Sequence, residues 1–255
     1  MASNDALIKY LPARNVAAIT LDAPHRRNAL SLDMIARLRE ALADAVSDDA
    51  VRIVRLDHTG PVFCAGADLR ESASATGLDE LPAAHLAELL ADICEAPKPV
   101  VVAADGGAKG GGMGLLAAAD LVVCRADAEL AFSEVRLGVV PAVIAPVVAR
   151  RLHPGRMQRL FLTGESFTAL DAASWGLVAA ATAPGAVGAR AEDFISQLLA
   201  GGPRAQAGIK QLTAAPDLRE RLREAAARTA EYFFSEEGRE GVRSFLEKDS
   251  PSWVD

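Results

Sequence analysis

The stretch DGGAKGGGMGLLAAAD, residues 105–120, decides the fold and gives the first indication of function. Six glycines fall within its first ten positions, between the continuously apolar strand pattern VVVAAD (100–105) and a run of small apolar residues typical of a helix. Glycine has no Cβ, so backbone N–H groups of such a loop can approach a ligand closely. At a helix start these groups also lack intrahelical acceptors and lie at the positive end of the dipole. The stretch therefore predicts a site for a phosphate or for a developing oxyanion.

Two nucleotide-binding motifs compete with the oxyanion interpretation. A Walker loop requires lysine followed by serine or threonine, but Lys109 is followed by Gly110, so this motif fails. The dinucleotide fingerprint G-x-G-x-x-A is met loosely by Gly112, Gly114 and Ala117. However, about seven residues separate the strand end from its first glycine, where the true motif is tight. The oxyanion interpretation remains, and it requires a second donor from elsewhere in the chain.

The segment FCAGADLR (63–70) supplies a candidate for that second donor. It follows the half-buried strand pattern VRIVRLDHT (51–59), contains one glycine among small residues, and predicts a helix start near Asp68. Taken alone this segment is a turn. Together with the glycine run it indicates two backbone loops that could grip one oxygen.

Composition excludes several classes of protein. The chain of 255 residues is 51% hydrophobic, carries a net charge of −7 and has no lysine-rich run, which disfavours nucleic acid as a partner. No apolar run reaches transmembrane length, and MASNDALIKY lacks the pattern of a signal peptide, so we expect a soluble cytoplasmic protein without a membrane partner. Three cysteines without C-x-x-C and four scattered histidines predict neither disulfides nor a metal site.

The order of elements predicts an α/β protein. VAAITLD (16–22) reads as a buried strand, and Ser31 is a plausible N-cap for the amphipathic helix that follows. A helix over 82–95 precedes the central strand, and LVVC and ELAF form short strands after the glycine run. From about residue 142 the pattern is mostly helical, and the last sixty residues contain no convincing strand.

These residues resemble the crotonase (enoyl-CoA hydratase/isomerase) superfamily. Six segments carry the resemblance in the expected order: RRNALSLDMIARL, FCAGADL, GGAKGGGMGLLAAADLVV, FSEVRLGVVP, LTGESFTALDAASWGLV and SFLEKDSPSW. The resemblance implies a spiral of strand–strand–helix repeats over residues 1–190, with the CoA and active sites, and a helical trimerisation region over 191–255. It also implies an acyl-CoA substrate, no separate cofactor because coenzyme A is part of that substrate, and a homotrimer or a hexamer built as a dimer of trimers.

The resemblance assigns site residues by position. The backbone N–H groups of Ala67 and Gly111 match the family's oxyanion hole, which holds the thioester carbonyl. Charge builds on that oxygen when an enolate-like intermediate forms, and losing one such donor typically costs about 3–4 kcal/mol. Residues that match family contacts to coenzyme A are Arg26, Arg27, Ala65, Asp68, Leu69 and Arg70, together with Phe245 and Lys248, which would reach the CoA of a neighbouring subunit.

Hydratases of this family have two catalytic acids, and this chain retains one of them. Glu134 in FSEVRLGVVP matches one of them, although Ser133 replaces the usual proline, and Gly114 stands where the other acid is expected. Apolar neighbours would raise the pKa of Glu134 toward neutrality by desolvation. A single carboxyl group could still relay a proton from water to the α-carbon on one face of the substrate.

Three functions remain open on this basis. The first is hydration of a 2-enoyl-CoA to a 3-hydroxyacyl-CoA in fatty acid and lipid metabolism, with Glu134 as acid and base. The second is isomerisation of a 3-enoyl-CoA to a 2-enoyl-CoA by the same group, and the third is a catalytically weak homologue that binds acyl-CoA. The stretch from Ser133 to Arg151 resembles the branch that hydrates branched or glutaconyl-type esters. In that branch Arg136 would meet a distal carboxylate; the alternative is that Arg136 is an ordinary surface residue.

Overall fold

The computed structural model describes residues 7–254 of the chain. Residues 1–6, on which part of the signal-peptide argument rests, lie outside the described residues, as does Asp255. The strands are β1 (Ile8–Pro12), β2 (Asn15–Leu21), β3 (Val51–His58), β4 (Val62–Cys64), β5 (Val100–Ala104), β6 (Gly107–Lys109), β7 (Leu121–Arg125), β8 (Glu129–Ala131), β9 (Ser166–Thr168) and β10 (Ala180–Thr182).

The helices flank these strands and dominate the carboxyl-terminal part. They are α1 (Leu32–Ser47), α2 (Leu69–Ser74), α3 (Pro82–Glu95), α4 (Gly111–Ala118), α5 (Ala145–Val148), α6 (Pro154–Thr163), α7 (Ala169–Ser174), α8 (Val187–Ala200), α9 (Pro203–Leu212), α10 (Leu218–Phe233) and α11 (Glu236–Glu247). Short 3₁₀ helices cover Pro24–Arg26, Leu78–Glu80 and Glu134–Leu137. None of the helices in residues 7–254 combines the length and the apolar character that crossing a bilayer requires.

The strands divide into two sheets. The larger has six strands in the order β1-β2-β3-β5-β7-β10, and the smaller has four in the order β4-β6-β8-β9. The consecutive pairs β3/β4, β5/β6 and β7/β8 each give one strand to each sheet, and neighbouring repeats pair in parallel. Helices follow the first two of these pairs, which confirms the predicted α/β spiral of strand–strand–helix repeats. The trimerisation role of the helical region stays a prediction.

Helix α1 begins where the sequence predicts. The Ser31 hydroxyl accepts a hydrogen bond from the Met34 N–H at 3.1 Å, which satisfies one of the free donors at the helix start. The apolar positions Ile35, Leu38 and Leu42 are buried on one face, as their helical spacing indicates. Local capping and burial of one face together explain why this segment is helical.

The glycine run contains a strand that the sequence analysis treats as loop. Strand β6 lies between β4 and β8 in the smaller sheet. A Cβ on Gly106 would stand 2.4 Å from the Pro61 carbonyl oxygen, and one on Gly107 would stand 2.6 Å from that of Glu129. These glycines therefore let three strands approach closely, and the low strand propensity of glycine hid the strand in the sequence.

The carboxyl-terminal third is helical, with two exceptions. Strands β9 and β10, of three residues each, pair at the edges of the two sheets, so the expectation of a mostly helical pattern after 142 missed them. Residues 196–254 contain no strand, as predicted. Helix α8 crosses position 190, and its Ala191 and Ile195 are buried with Ile53 and Val101 of the larger sheet. The division at 190 stays a prediction.

Candidate active site

A cleft of about 410 Å³ lies between the smaller sheet and helices α3, α10 and α11. It brings together residues from all parts of the chain that the sequence analysis singled out. The proposed site residues that line it are Arg27, Ala65, Ala67, Leu69, Gly111, Glu134 and Phe245.

Ala67 offers its backbone N–H to this cleft because of how its segment pairs. The Leu30 N–H donates to the Gly66 carbonyl at 2.8 Å, and the Leu30 carbonyl accepts from the Asp68 N–H at 3.1 Å. This short parallel bridge uses the groups on either side of Ala67 and leaves its own N–H without an acceptor within residues 7–254. The turn depends on Gly66, whose φ of +96° is in the region that favours glycine.

Gly111 supplies the second amide. It is the first residue of α4, where backbone N–H groups have no intrahelical acceptor, and it finds no other within the described part of the chain. A Cβ on Gly66 would stand 3.5 Å from the Gly111 nitrogen, and one on Gly111 would stand 3.8 Å from the Ala67 nitrogen. The two predicted loops therefore meet, with both free amides beside the cleft.

Glu134 begins a 3₁₀ helix directly beside the glycine loop. A Cβ on Gly110 would stand 3.4 Å from Oε1 of Glu134. The residue as a whole is partly exposed, yet its Oε2 is buried and has no hydrogen-bond partner in residues 7–254. Burial raises the pKa of Glu134 to about 7, partly opposed by a hydrogen bond from its own backbone N–H. A carboxyl group with such a pKa can both accept and donate a proton near neutral pH.

Gly114, which stands where family hydratases carry their second acid, is surrounded by apolar side chains. It lies within α4, and a Cβ there would stand 2.6 Å from Cγ2 of Ile144 and 3.3 Å from Cδ1 of Leu90. Ile144 is fully buried, and its β-branched side chain is stiff. The volume beside position 114 is therefore filled by hydrocarbon. Glu134 is the only carboxyl-bearing residue that lines the cleft among residues 7–254.

Four of the proposed coenzyme A contacts lie outside the cleft lining. Arg26, Arg70 and Lys248 are exposed. Asp68 has a structural function, because its Oδ1 caps α2 by accepting hydrogen bonds from the N–H groups of Arg70 at 3.0 Å and Glu71 at 3.3 Å. The helix start predicted near Asp68 is thus present. The assignment of these four residues to coenzyme A stays a prediction.

Helix α11 contacts both the cleft and the 3₁₀ helix that carries Glu134. A Cβ on Gly241 would stand 2.4 Å from the Leu137 carbonyl oxygen, and one on Gly138 would stand 2.7 Å from the Glu237 carbonyl oxygen. One turn beyond Gly241, Phe245 is 61% exposed and lines the cleft of its own chain. The resemblance had assigned this position to the site of a neighbouring subunit.

The two ends of the cleft differ in character. One end is made by Lys109, Arg136 and Ser166, whose exposed side chains leave it open to solvent. The other end, called here the inner end, is closed by buried side chains: Leu81, Leu86, Val139, Val143, Thr229 and Phe233. The Thr229 hydroxyl is already satisfied there, since it accepts from the Val143 N–H at 3.0 Å and donates to the Ala225 carbonyl at 3.1 Å.

Apart from Val139, an expected apolar neighbour of Glu134, sequence reasoning missed the inner end. Apolar residues such as Leu86 and Phe233 occur at helical spacing, and this pattern does not distinguish a pocket wall from the core. Arg136, the candidate partner of a distal carboxylate, lies at the open end instead. Within residues 7–254, no three His, Cys, Asp or Glu side chains gather as a metal site would need.

The chain is similar to known proteins in sequence and in fold. A family model described as enoyl-CoA hydratase/isomerase matches residues 12–255. An enoyl-CoA hydratase from Mycobacterium avium superposes with a TM-score of 0.87 at 38% identity, covering 98% of this chain and 100% of that one. A Thermus thermophilus protein, which is named as an enoyl-CoA hydratase without an established activity, is 34% identical over 93% of this chain and 96% of its own length. The carnitinyl-CoA dehydratase of Proteus mirabilis is 28% identical, covering 94% and 95% respectively.

Proposed function

The chain belongs to the enoyl-CoA hydratase/isomerase family, and from this premise we propose that it hydrates a 2-enoyl-CoA to a 3-hydroxyacyl-CoA with Glu134 as its single acid–base group. The observation that carries the proposal is the buried, unpartnered Oε2 of Glu134, held against the loop that presents the free amide of Gly111. A carboxyl group and an oxyanion site at the same point are what addition of water to an activated double bond requires.

In the proposed reaction the thioester oxygen accepts hydrogen bonds from the backbone N–H groups of Ala67 and Gly111. The Glu134 carboxylate takes a proton from water as the water oxygen bonds to the β-carbon. The electron pair of the double bond moves toward the thioester oxygen, and the two amides stabilise that charge. The protonated Glu134 then gives its proton to the α-carbon, and the carbonyl is restored. Both proton transfers occur on one face because one group performs them.

The amides stabilise the intermediate more than the substrate, because charge on the oxygen is larger in the intermediate. They are fixed by the Leu30 bridge and by the start of α4, so little reorganisation is needed when charge develops. Arg27, Ala65, Leu69 and Phe245 line the cleft where the coenzyme A moiety would lie in this proposal. Arg26, Asp68 and Arg70 remain proposed contacts to its nucleotide side, and Lys248 remains a proposed contact to the coenzyme A of a neighbouring subunit.

The test is turnover of crotonyl-CoA and 3-methylglutaconyl-CoA, followed as loss of the absorbance of the conjugated double bond. We expect hydration of at least one, and its loss in Glu134→Gln with binding of the saturated ester butyryl-CoA retained. Glu224→Gln, on the exposed face of α10, serves as the matched control. Absence of turnover with both esters and with a 3-enoyl-CoA, while butyryl-CoA still binds, would support a binding homologue instead.

One observation favours a second candidate. With Ile144 occupying the space beside Gly114, Glu134 acts without a second acid, and a single base suffices to move a proton between two carbons. Isomerisation of a 3-enoyl-CoA to a 2-enoyl-CoA is therefore the alternative. Activity on 3-hexenoyl-CoA, without hydration of 2-hexenoyl-CoA, would establish it. For either activity we propose a place in fatty acid metabolism in the cytoplasm, as a homotrimer or a hexamer.

A further inference from the structure

A second cavity lies behind the inner end of the cleft. It has a volume of about 390 Å³ and is formed by α2, the end of α10 and α11. We call it the outer cavity; its lining includes Ala75, Phe234 and Val242, and its exposed margin is formed by Arg239, Arg243, Leu246 and Glu247. Ser72 and Phe233 line both this cavity and the catalytic cleft. The two spaces are thus separated by a wall to which these two residues contribute.

The direction of an acyl chain within the cleft follows from polarity. The open end presents Lys109, Arg136 and Ser166, whereas the inner end presents buried hydrocarbon and a threonine hydroxyl whose hydrogen bonds are internal. A hydrocarbon chain gains by leaving water for the apolar end, and a polar group placed there would lose its hydrogen bonds. The acyl chain of the substrate therefore extends from Glu134 toward Phe233.

Phe233 is the bulky member of the separating wall. It is the last residue of α10, is only 9% exposed, and packs edge-on against Phe234 with ring centroids 6.1 Å apart. Ser72, the other shared residue, is small and donates its hydroxyl hydrogen bond to the Asp68 carbonyl at 2.8 Å. Removing the Phe233 ring would join the two spaces, whereas removing the Phe234 ring would only enlarge the outer one.

We propose that Phe233 determines the acyl-chain length of the substrate by ending the path at the inner end of the cleft, and that the outer cavity is the space into which longer chains would extend without its ring. The proposal rests on the proposed function, because it assumes an acyl thioester held at Ala67 and Gly111. The substrate class that follows is a 2-enoyl-CoA with a short hydrocarbon tail and no distal charge.

The experiment compares kcat/KM for 2-enoyl-CoA esters of four, six, eight and ten carbons in the wild type, Phe233→Ala and the control Phe234→Ala. We expect the wild type to lose activity as the chain lengthens. Phe233→Ala should raise the ratio of ten-carbon to four-carbon activity about tenfold or more, because two further buried methylene groups account for that factor. Phe234→Ala should leave the ratio within about twofold of the wild type, and Phe233→Leu, which keeps most of the packing, should move it in the same direction by less.

A blocking variant tests whether the longer acyl chains extend into the outer cavity. Ala75 lines the outer cavity but not the cleft. A tryptophan at this position would fill the outer cavity, so Ala75→Trp in the Phe233→Ala background should restore the preference for short chains. Calorimetric binding of butyryl-CoA and decanoyl-CoA provides a readout independent of chemistry. A changed binding preference without any turnover would contradict the proposed hydratase and support the role of Phe233. An unchanged preference in Phe233→Ala and Phe233→Leu, with the four-carbon ester still used or bound, would overturn the inference.

Discussion

Gly110 lies directly against the carboxyl group of Glu134, since a Cβ on this glycine would stand 3.4 Å from Oε1 and 3.7 Å from Cδ. Gly110 also has a φ of +50° and a ψ of −121°, a conformation that residues with a Cβ rarely adopt. The residue that precedes the donor Gly111 therefore also shapes the surroundings of the acid. Glycine is needed here for its backbone conformation as well as for its size.

Gly110→Ala should lower kcat by about tenfold or more. The strain of the new residue is about 1–3 kcal/mol, and relieving it moves the loop that carries the Gly111 N–H away from its position beside Glu134. Gly77→Ala is the matched control, because Gly77 has negative φ and open space around its Cα. Steady-state kinetics with crotonyl-CoA measure both variants. Equal kcat values for the two would contradict the role of Gly110 in holding the Gly111 N–H beside Glu134.

The rate of hydration should depend on the ionisation of Glu134. Its carboxylate form takes the proton from water, so kcat/KM should rise with pH and level off above the pKa of about 7. Without the burial, this transition would fall near 4.5. A kcat/KM profile from pH 5 to 9 measures it, and a plateau that already begins at pH 5 would show that another group limits the reaction.

The same pKa shift should affect stability with the opposite pH dependence. Between pH 4.5 and 7 the folded protein binds more protons at Glu134 than the unfolded chain does, so the free energy of unfolding falls as pH rises. Above pH 7 the loss reaches about 3 kcal/mol. Glu134→Gln removes this cost and should raise Tm at pH 8 but not at pH 4. Thermal unfolding at both pH values tests this, with Glu224→Gln expected to match the wild type.

Restoring an acid at position 114 should fail. Gly114→Glu places a carboxylate against Ile144 and Leu90 in hydrocarbon surroundings, so we expect a loss of more than about 2 kcal/mol in the free energy of unfolding and no gain in rate. Adding Ile144→Ala should recover part of the stability by making room. Denaturant unfolding of the single and double variants measures this coupling; if the two effects simply added, the packing argument would be wrong.

The contact between α11 and the 3₁₀ helix of Glu134 can be tested with one methyl group. Gly241→Ala pushes against the Leu137 carbonyl, so it should lower kcat and, by admitting water to Glu134, shift the pH profile to lower pH. Gly208→Ala, in the exposed middle of α9 with open space around it, should leave kcat unchanged and raise stability slightly. Parallel losses in kcat and Tm with an unmoved pH profile would indicate a purely structural contact.

Local signals in the sequence were sufficient for part of this structure. Ser31 and Asp68 cap helices where predicted, because N-cap chemistry is contained within a few residues. The pairing of the two loops was indicated by their sequences, but the choice of Ala67 and Gly111 as the donors within them followed only from the family resemblance. The strand inside the glycine run escaped prediction because its cause is the proximity of two other strands.

Sequence patterns did not predict which apolar side chains surround the active site. Ile144 lies thirty positions from Gly114, and their contact depends on how α4 packs against the segment leading into α5. Phe233 is likewise one of two adjacent phenylalanines, and only the cavities distinguish its place from that of Phe234. Pocket walls are set by tertiary packing. Apolar periodicity predicts that a side chain is buried, but it does not distinguish a side chain that lines a pocket from one in the core.

The packing of Ile144 onto Gly114 also has an evolutionary meaning. A descendant that acquired a glutamate at 114 would be selected against before its side chain found room, and one that first shortened Ile144 would carry a void with no compensating benefit. Each change is expected to cost more alone than in the presence of the other, so the two positions are epistatic. With this space filled by hydrocarbon, a glutamate at 114 alone does not make a two-acid enzyme.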